Sequence, residues 1–256
     1  MHRTVASAVV SDKPSLAPLL ELDGVEEAVA AARSAIDEVH WHPANRRGWP
    51  TTAAEASVRA ARASAAIAGG SAEIPESGEV TDPLLAGSLR VAEKLGGMLS
   101  TWQRAPRQAL AKMHMLAAVD LVSDPEQLGR PRTAPAVAER LDLLAEVVTN
   151  SSEVPGPVVA AVVHGELLAL EPFGTADGII ARAAARLTII GSGLDPKGLV
   201  VPEVAYFRRQ AEYVEKAAGY ASGDPARLAE WIVYCCRSLE AGAREAKSIA
   251  DAAQAG

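Results

Sequence analysis

The longest unbroken apolar pattern in the chain lies over residues 158–170, VVAAVVHGELLAL, interrupted by one charge, Glu166, and one histidine, His164. A helix apolar on nearly every face belongs inside a bundle rather than on its surface. Pro172 should end it near Glu171, because the ring crowds the preceding residue out of the right-handed region. A second helix is predicted from Asp177 or Gly178, with Thr175 as its N-cap and Gly174 and Gly178 giving the backbone freedom to turn. Residues 164–186 thus read as helix, tight loop, helix, the unit around which the remainder is organised.

The other segments are amphipathic at helical spacing. Residues 1–22 carry no period and read as a loosely held tail that Leu16, Leu19, Leu20 and Leu22 can dock. Asp23 with Glu26 predicts a capping-box start, followed by Val25, Val29, Ala32, Ile36 and Val39 on one face. Residues 43–50, PANRRGWP, read as a loop. Thr52 and Glu55 predict the start of a second helix that runs through Val58, Ala61, Ala65 and Ile67 to a stop at Gly69-Gly70. After a polar loop over 71–82, helices are predicted over 83–102, 106–121 and 136–148. The first of these tolerates Gly96-Gly97 at some cost. Beyond the central pair, Gly191, Gly193 and Asp195-Pro196 turn the chain into a helix over 204–218, whose large residues are Tyr206, Phe207, Tyr213 and Val214. Asp224-Pro225 opens the last helix through Leu228, Trp231, Ile232, Cys235 and Leu239, with a polar end over 241–253 expected to fray.

No alternating pattern suggests a strand. Aromatics at 4% and abundant alanine point the same way, so the expected class is all-α. A chain of 256 residues, 49% of them hydrophobic, can furnish a full core. The expected organisation is a tail over 1–22, an N-terminal helical subdomain over 23–103 and a core over 104–256.

A formal net charge of −7 argues against a nucleic-acid partner, which would require a basic face. The two cysteines, Cys235 and Cys236, are neighbours and cannot staple distant segments. No apolar run reaches the roughly 18 residues of a membrane span. Near the N-terminus, Asp12 and Lys13 interrupt any apolar segment of a signal peptide. The expectation is a cytoplasmic protein that does not enter a membrane.

Three features carry candidate chemistry. A glycine-containing loop feeding a helix N-terminus, with Arg182 and Arg186 a turn or two on, is a reasonable anion site; the plainer reading is a turn that only reverses the chain. His40 and His42 form a His-x-His pair without a third metal ligand, which favours an ordinary loop. His114 lies on an apolar face, where a histidine is usually a hydrogen-bonded core residue.

The central stretch resembles the signature of Fic-domain (Fido-fold) proteins, in which a buried helix leads through HPF-x-[DE]-GNG-R-x-x-R into a second helix. Pro172, Phe173, Gly178 and Arg182 fall on the motif's proline, phenylalanine, last glycine and final arginine without a gap. His164, eight residues ahead of the proline, and Leu167, Leu168, Ala169 and Leu170 suit the preceding helix. Ser64 and Gly69 match the family's inhibitory motif, [ST]-x-x-x-E-[GN], with Ala68 in place of its glutamate. His114 followed by Gly129, Arg130 and Arg132 resembles the Leu-His and glycine-x-x-arginine loop that leads to the target-aligning flap; the other reading is a solvated loop.

The resemblance implies a Fic-like helical bundle and an activity that moves AMP from ATP, with Mg2+, to a hydroxyl of a protein target. It also marks the departures. Glu171 stands where the family has its catalytic histidine, Thr175 where it has the metal-holding acid, Ala176 and Asp177 in the rest of the loop, and Ile179 where it has an arginine. Gly174, Thr175, Ala176, Asp177, Gly178, Arg182 and Arg186 become the candidate phosphate site, Glu171 the candidate base and Asp177 the candidate metal ligand. Two outcomes lead: a catalytically degraded protein that acts by binding, and an atypical nucleotidyl- or phospho-transferase using Glu171 as base. A helical partner protein with no ligand in its cleft is the third.

Overall fold

The computed structural model describes residues 16–150 and 153–255, and every regular element among them is helical. Its helices are α1 (Val25–Trp41), α2 (Pro43–Arg47), α3 (Trp49–Ile67), α4 (Pro83–Lys94), α5 (Leu99–Arg104), α6 (Pro106–Ala118), α7 (Pro135–Asn150), α8 (Gly156–Leu170), α9 (Asp177–Gly191), α10 (Pro202–Arg208), α11 (Gln210–Ala221) and α12 (Pro225–Ala255). Among the described residues, no helix is long and apolar enough to cross a membrane.

Helix α8 occupies the centre, as its pattern predicts. Its valines are mediocre helix formers, so burial rather than propensity holds it there. Val158, Val163 and Leu167 are almost wholly enclosed, each worth roughly 1.5–3 kcal/mol of removed apolar surface. With α9 it forms a hairpin, joined at one end by residues 171–176 and closed at the other, where Gly156 abuts Ser192. One cluster packs Leu167 and Ile180 of this hairpin against Trp102 of α5, Leu110 and Met113 of α6 and Leu141 of α7. A second packs Val158 and Ala161 against Val25 and Ile36 of α1, Tyr206 of α10, Tyr213 of α11 and Trp231 of α12.

Several boundaries differ from the sequence reading, each for a local reason. Helix α1 is entered through Gly24 at φ 70°, with no side-chain cap, so Asp23 does not play that part. Residues 43–50 are not a loop. Pro43 and Pro50 sit in the first turns of α2 and α3, where their missing amides cost nothing, and His42 Nδ1 accepts the Ala44 amide at 3.3 Å. Thr52 consequently lies inside α3, its hydroxyl bonded to Asn45 Oδ1 at 2.7 Å. Gly96 and Gly97 interrupt the helix predicted over 83–102, giving α4, a 3₁₀ turn and α5. The helix predicted over 106–121 ends at Ala118, and that over 136–148 spans Pro135–Asn150. The helix predicted over 204–218 breaks at Arg209 into α10 and α11, leaving Tyr206 and Tyr213 buried but Phe207 and Val214 exposed.

The end of α12 does not fray. Its small residues let it pass close to its neighbours: Ile249 packs with Ala56 and Ala60, and Ala243 and Ala246 pack with Val39 and Leu199. A Cβ on Gly242 would fall 2.6 Å from the Pro202 nitrogen. Of the predicted tail, residues 1–15 lie outside the described residues. Leu16, Leu19, Leu20 and Leu22 pack against the core as expected.

Candidate functional site

The loop between α8 and α9 turns on three left-handed residues: Glu171 (φ 44°), Gly174 (φ 74°) and Ala176 (φ 57°). Only glycine adopts that backbone freely; elsewhere it costs on the order of 1–2 kcal/mol per residue. Ala176, rather than Thr175, is the N-cap of α9, and it contributes no side-chain bond. The first residue of the helix bonds back to the loop instead. The Asp177 carboxylate folds back and accepts the Phe173 amide at 3.0 Å, and the Gly174 amide also bonds to it. Asp177 is buried, which pushes its carboxyl up to about 6 despite these donors. The nearby charge of Glu171 adds to the rise, and Arg132 opposes it. Glu171 itself is exposed at the mouth of the loop.

Arg182 is enclosed. It donates from Nε to Ser64 Oγ at 2.8 Å, from Nη2 to the Ser64 carbonyl at 2.9 Å and from Nη1 to the Tyr213 hydroxyl at 3.3 Å. Since Tyr213 accepts from Arg182, its own proton is free for His164 Nε2, 2.8 Å away. Burial, and then the Arg182 charge, lower the His164 ring to about 3, so the ring is neutral and suited to accept. Ser64, Arg182, Tyr213 and His164 thus form one buried chain linking α3, α9, α11 and α8. Ala68 and Gly69, by contrast, are exposed beyond the end of α3. The guanidinium lies over Gly178, where a Cβ would come within 3.3 Å of Nη1. The cavity beside Arg182 and His164 is only about 30 Å³, room for roughly a water. Arg186, deeper along α9, is also buried, bonded to the Gly198 carbonyl at 2.6 Å and 3.7 Å from the buried Glu203.

The 129–132 segment is bolted to the loop through Arg132. Its amide donates to the Pro172 carbonyl at 2.7 Å, and its guanidinium to the carbonyls of Glu171 at 2.9 Å and Leu170 at 2.6 Å. A cation thereby caps the carboxyl end of α8, where the helix dipole is negative. Arg130 is exposed, with only Glu126 at 3.7 Å. His114 joins the same corner: its Nδ1 accepts the Gly129 amide at 2.9 Å and its ring stacks on Phe173 at 4.3 Å. His40 and His42 diverge, to Asp195 at 2.9 Å and Asp251 at 3.1 Å.

The structure therefore separates the candidate residues. Glu171, Gly174, Thr175, Ala176 and Asp177 surround the exposed loop, while Arg182 and Arg186 are committed to interior partners. A single cleft shared by Glu171 and Arg182, which the motif's spacing suggests, is not what forms. Ile179, at the position of the family's first arginine, is buried in the core cluster. Tyr213 was missed, because its partners lie 31 and 49 positions away. The available signal was Tyr206 and Tyr213, seven apart in a chain with only four tyrosines.

No family model and no curated protein matches the sequence. Solved structures do match. A Fic family protein from Desulfovibrio desulfuricans G20 is 20% identical, with a TM-score of 0.70 over 86% of this chain and 74% of that one. A fragment of Fic-1 from C. elegans is 20% identical, with a TM-score of 0.68 over 91% of this chain and 74% of that one. A point variant of that fragment gives 21% and 0.71 over the same shares. What such distant chains share is the backbone, and by that measure this chain has the fold of the Fic proteins.

Proposed function

We propose that this Fic-fold protein does not transfer nucleotide and acts instead by binding a protein partner at the face where the 129–132 segment meets the motif loop. The observation that carries the reading is the Asp177 carboxylate on the loop amides. Those donors are amides of the loop that leads into the N-terminus of α9, the place where such a turn would hold a phosphate, and here they already hold an anion of the chain's own. A nucleotide phosphate would have to displace it or face it. Arg182, whose guanidinium lies over Gly178 of that helix, is held by Ser64 and Tyr213 and is not free to follow a ligand outward.

Mg2+ fits poorly too. It is bound through carboxylates that project towards the phosphates, whereas the Asp177 carboxylate is buried and turned towards the amides of its own loop. In support of a protein partner, Met115 borders Gly129 and is 52% exposed, an apolar side chain beside the segment that the family resemblance assigns to target alignment. The second reading, a nucleotidyl- or phospho-transferase with Glu171 as base, draws on the exposure of Glu171 at the loop's mouth.

Incubation with labelled ATP and Mg2+, alone and with cell lysate, separates the two. The expected result is no transfer by the parent protein and none by Glu171→His. Transfer by the parent that disappears in Glu171→Ala would overturn the proposal and make the glutamate a base.

A further inference from the structure

Away from the motif loop, helix α12 borders an open groove where α10 meets α11. The helix breaks at Arg209 (φ −124°, ψ 46°), and the groove beside the break has a volume of about 640 Å³. Small-molecule pockets span roughly 300–1,000 Å³, so the volume suits a compact ligand.

Four arginines reach it: Arg208 and Arg209 from the break, and Arg237 and Arg244 from α12. The first two are engaged. Arg208 lies 3.4 Å from Glu245, a carboxylate that Arg59 also holds at 2.6 Å, and Arg209 lies 3.7 Å from Glu212. Arg237 and Arg244 have neither a hydrogen bond nor an ion pair among the described residues. A second, independent feature points the same way. Tyr234, one turn before Arg237 and 6% exposed, lines the groove with a buried hydroxyl that makes no hydrogen bond of normal geometry among the described residues. Burial, and then the charge of Glu212, holds this phenol above its ordinary range, the Ser238 side chain beside it opposing the rise, so it stays protonated and able to donate.

We propose that the groove binds a small molecule with two separated anionic ends, one on Arg237 and one on Arg244, with the Tyr234 hydroxyl donating to the end nearer it. Guanidinium forks match phosphate and carboxylate oxygens in pairs. Seven residues of helix set the two arginine backbones about 10 Å apart along the axis, a spacing that suits a ligand with two separated anionic ends better than one compact anion. Glu240 stands between them and also lines the groove, which disfavours a continuous polyanion such as a nucleic acid strand. The shared chemistry is a doubly anionic ligand; phosphate and carboxylate ends are its two possible sources.

Calorimetric titration of the full chain with a hexose bisphosphate, with adipate and with inorganic phosphate tests the proposal. Binding of the bisphosphate or of adipate at millimolar concentration or below is expected, and whichever binds more tightly identifies the source. Arg237→Gln and Arg244→Gln alter exposed side chains and should each weaken binding by about tenfold, the size of one charged hydrogen bond. Tyr234→Phe should weaken it by a smaller factor. The proposal is overturned if neither two-ended probe binds at millimolar concentration, if inorganic phosphate binds as well as they do, or if the two arginine variants bind as the parent does.

Discussion

Replacing Asp177 by asparagine isolates the feature on which the functional reading rests. The substitution keeps an oxygen for the Phe173 amide and removes the charge. In the parent, burial raises this carboxyl from 3.8 to about 6. At 1.36 kcal/mol per pH unit, that corresponds to about 3 kcal/mol of destabilisation when the group is ionised. The side chain is buried, so solvent screening removes little of this; relaxation of the loop takes some, leaving about 2 kcal/mol. Because the folded-state value lies above the unfolded one, the folded protein takes up the proton first as pH falls. The penalty is therefore complete above pH 6 and disappears towards pH 3.8. Asp177→Asn should melt about 4–8 °C above the parent at pH 8, at the 2–4 °C per kcal/mol usual for a domain of this size, and close to it at pH 4. Thermal melts followed by circular dichroism at both pH values check this, and the shifts of His164 and Glu203, common to both proteins, cancel in the difference. A variant less stable than the parent at pH 8, or a difference independent of pH, would refute the reasoning.

Three further substitutions probe the frame around the loop. Tyr213→Phe strands Arg182 Nη1 and His164 Nε2 and should cost about 1–3 kcal/mol, read from the urea midpoint; a midpoint equal to the parent's would mean that the buried chain of bonds contributes nothing. Arg132→Ala removes the cap from α8 and should cost about 1 kcal/mol, since the side chain is partly solvated, while exposing the 128–134 segment to limited proteolysis. Unchanged cleavage in that segment would sink the idea that Arg132 ties it down. Gly87→Ala drives a Cβ to 2.2 Å from the Ala117 carbonyl oxygen and should cost about 1–3 kcal/mol or more by forcing α4 off α6; a melting temperature within error of the parent's would show that the crossing yields.

Much of the architecture was legible along the chain because it depends on local rules. The enclosed central helix follows from an apolar run with no polar face, and its stop follows from Pro172. Boundaries such as the start of α3 were harder, because Pro43 and Pro50 suit either a loop or a first helical turn, and only packing chooses between them. The polar-looking end of α12 was misread for a related reason. Alanines and glycine carry little hydrophobic signal in sequence, yet they permit the closest helix contacts.

The disposition of the site lay beyond the sequence. Arg182 and Asp177 are five positions apart, on one helix, yet one is turned into the core and the other onto the loop. What decides this is where partners from distant segments fall. Ser64 and Tyr213 approach Arg182 from 118 and 31 positions away, and a buried guanidinium goes where its donors can be satisfied. Asp177 folds back because the loop leaves the Phe173 amide without a backbone partner, and its carboxylate accepts that amide at 3.0 Å. The sequence alone determined which chemical groups stand near the loop; the tertiary structure decided which of them still face solvent, because a buried polar group must spend its hydrogen bonds on the protein and an exposed one keeps them for a ligand.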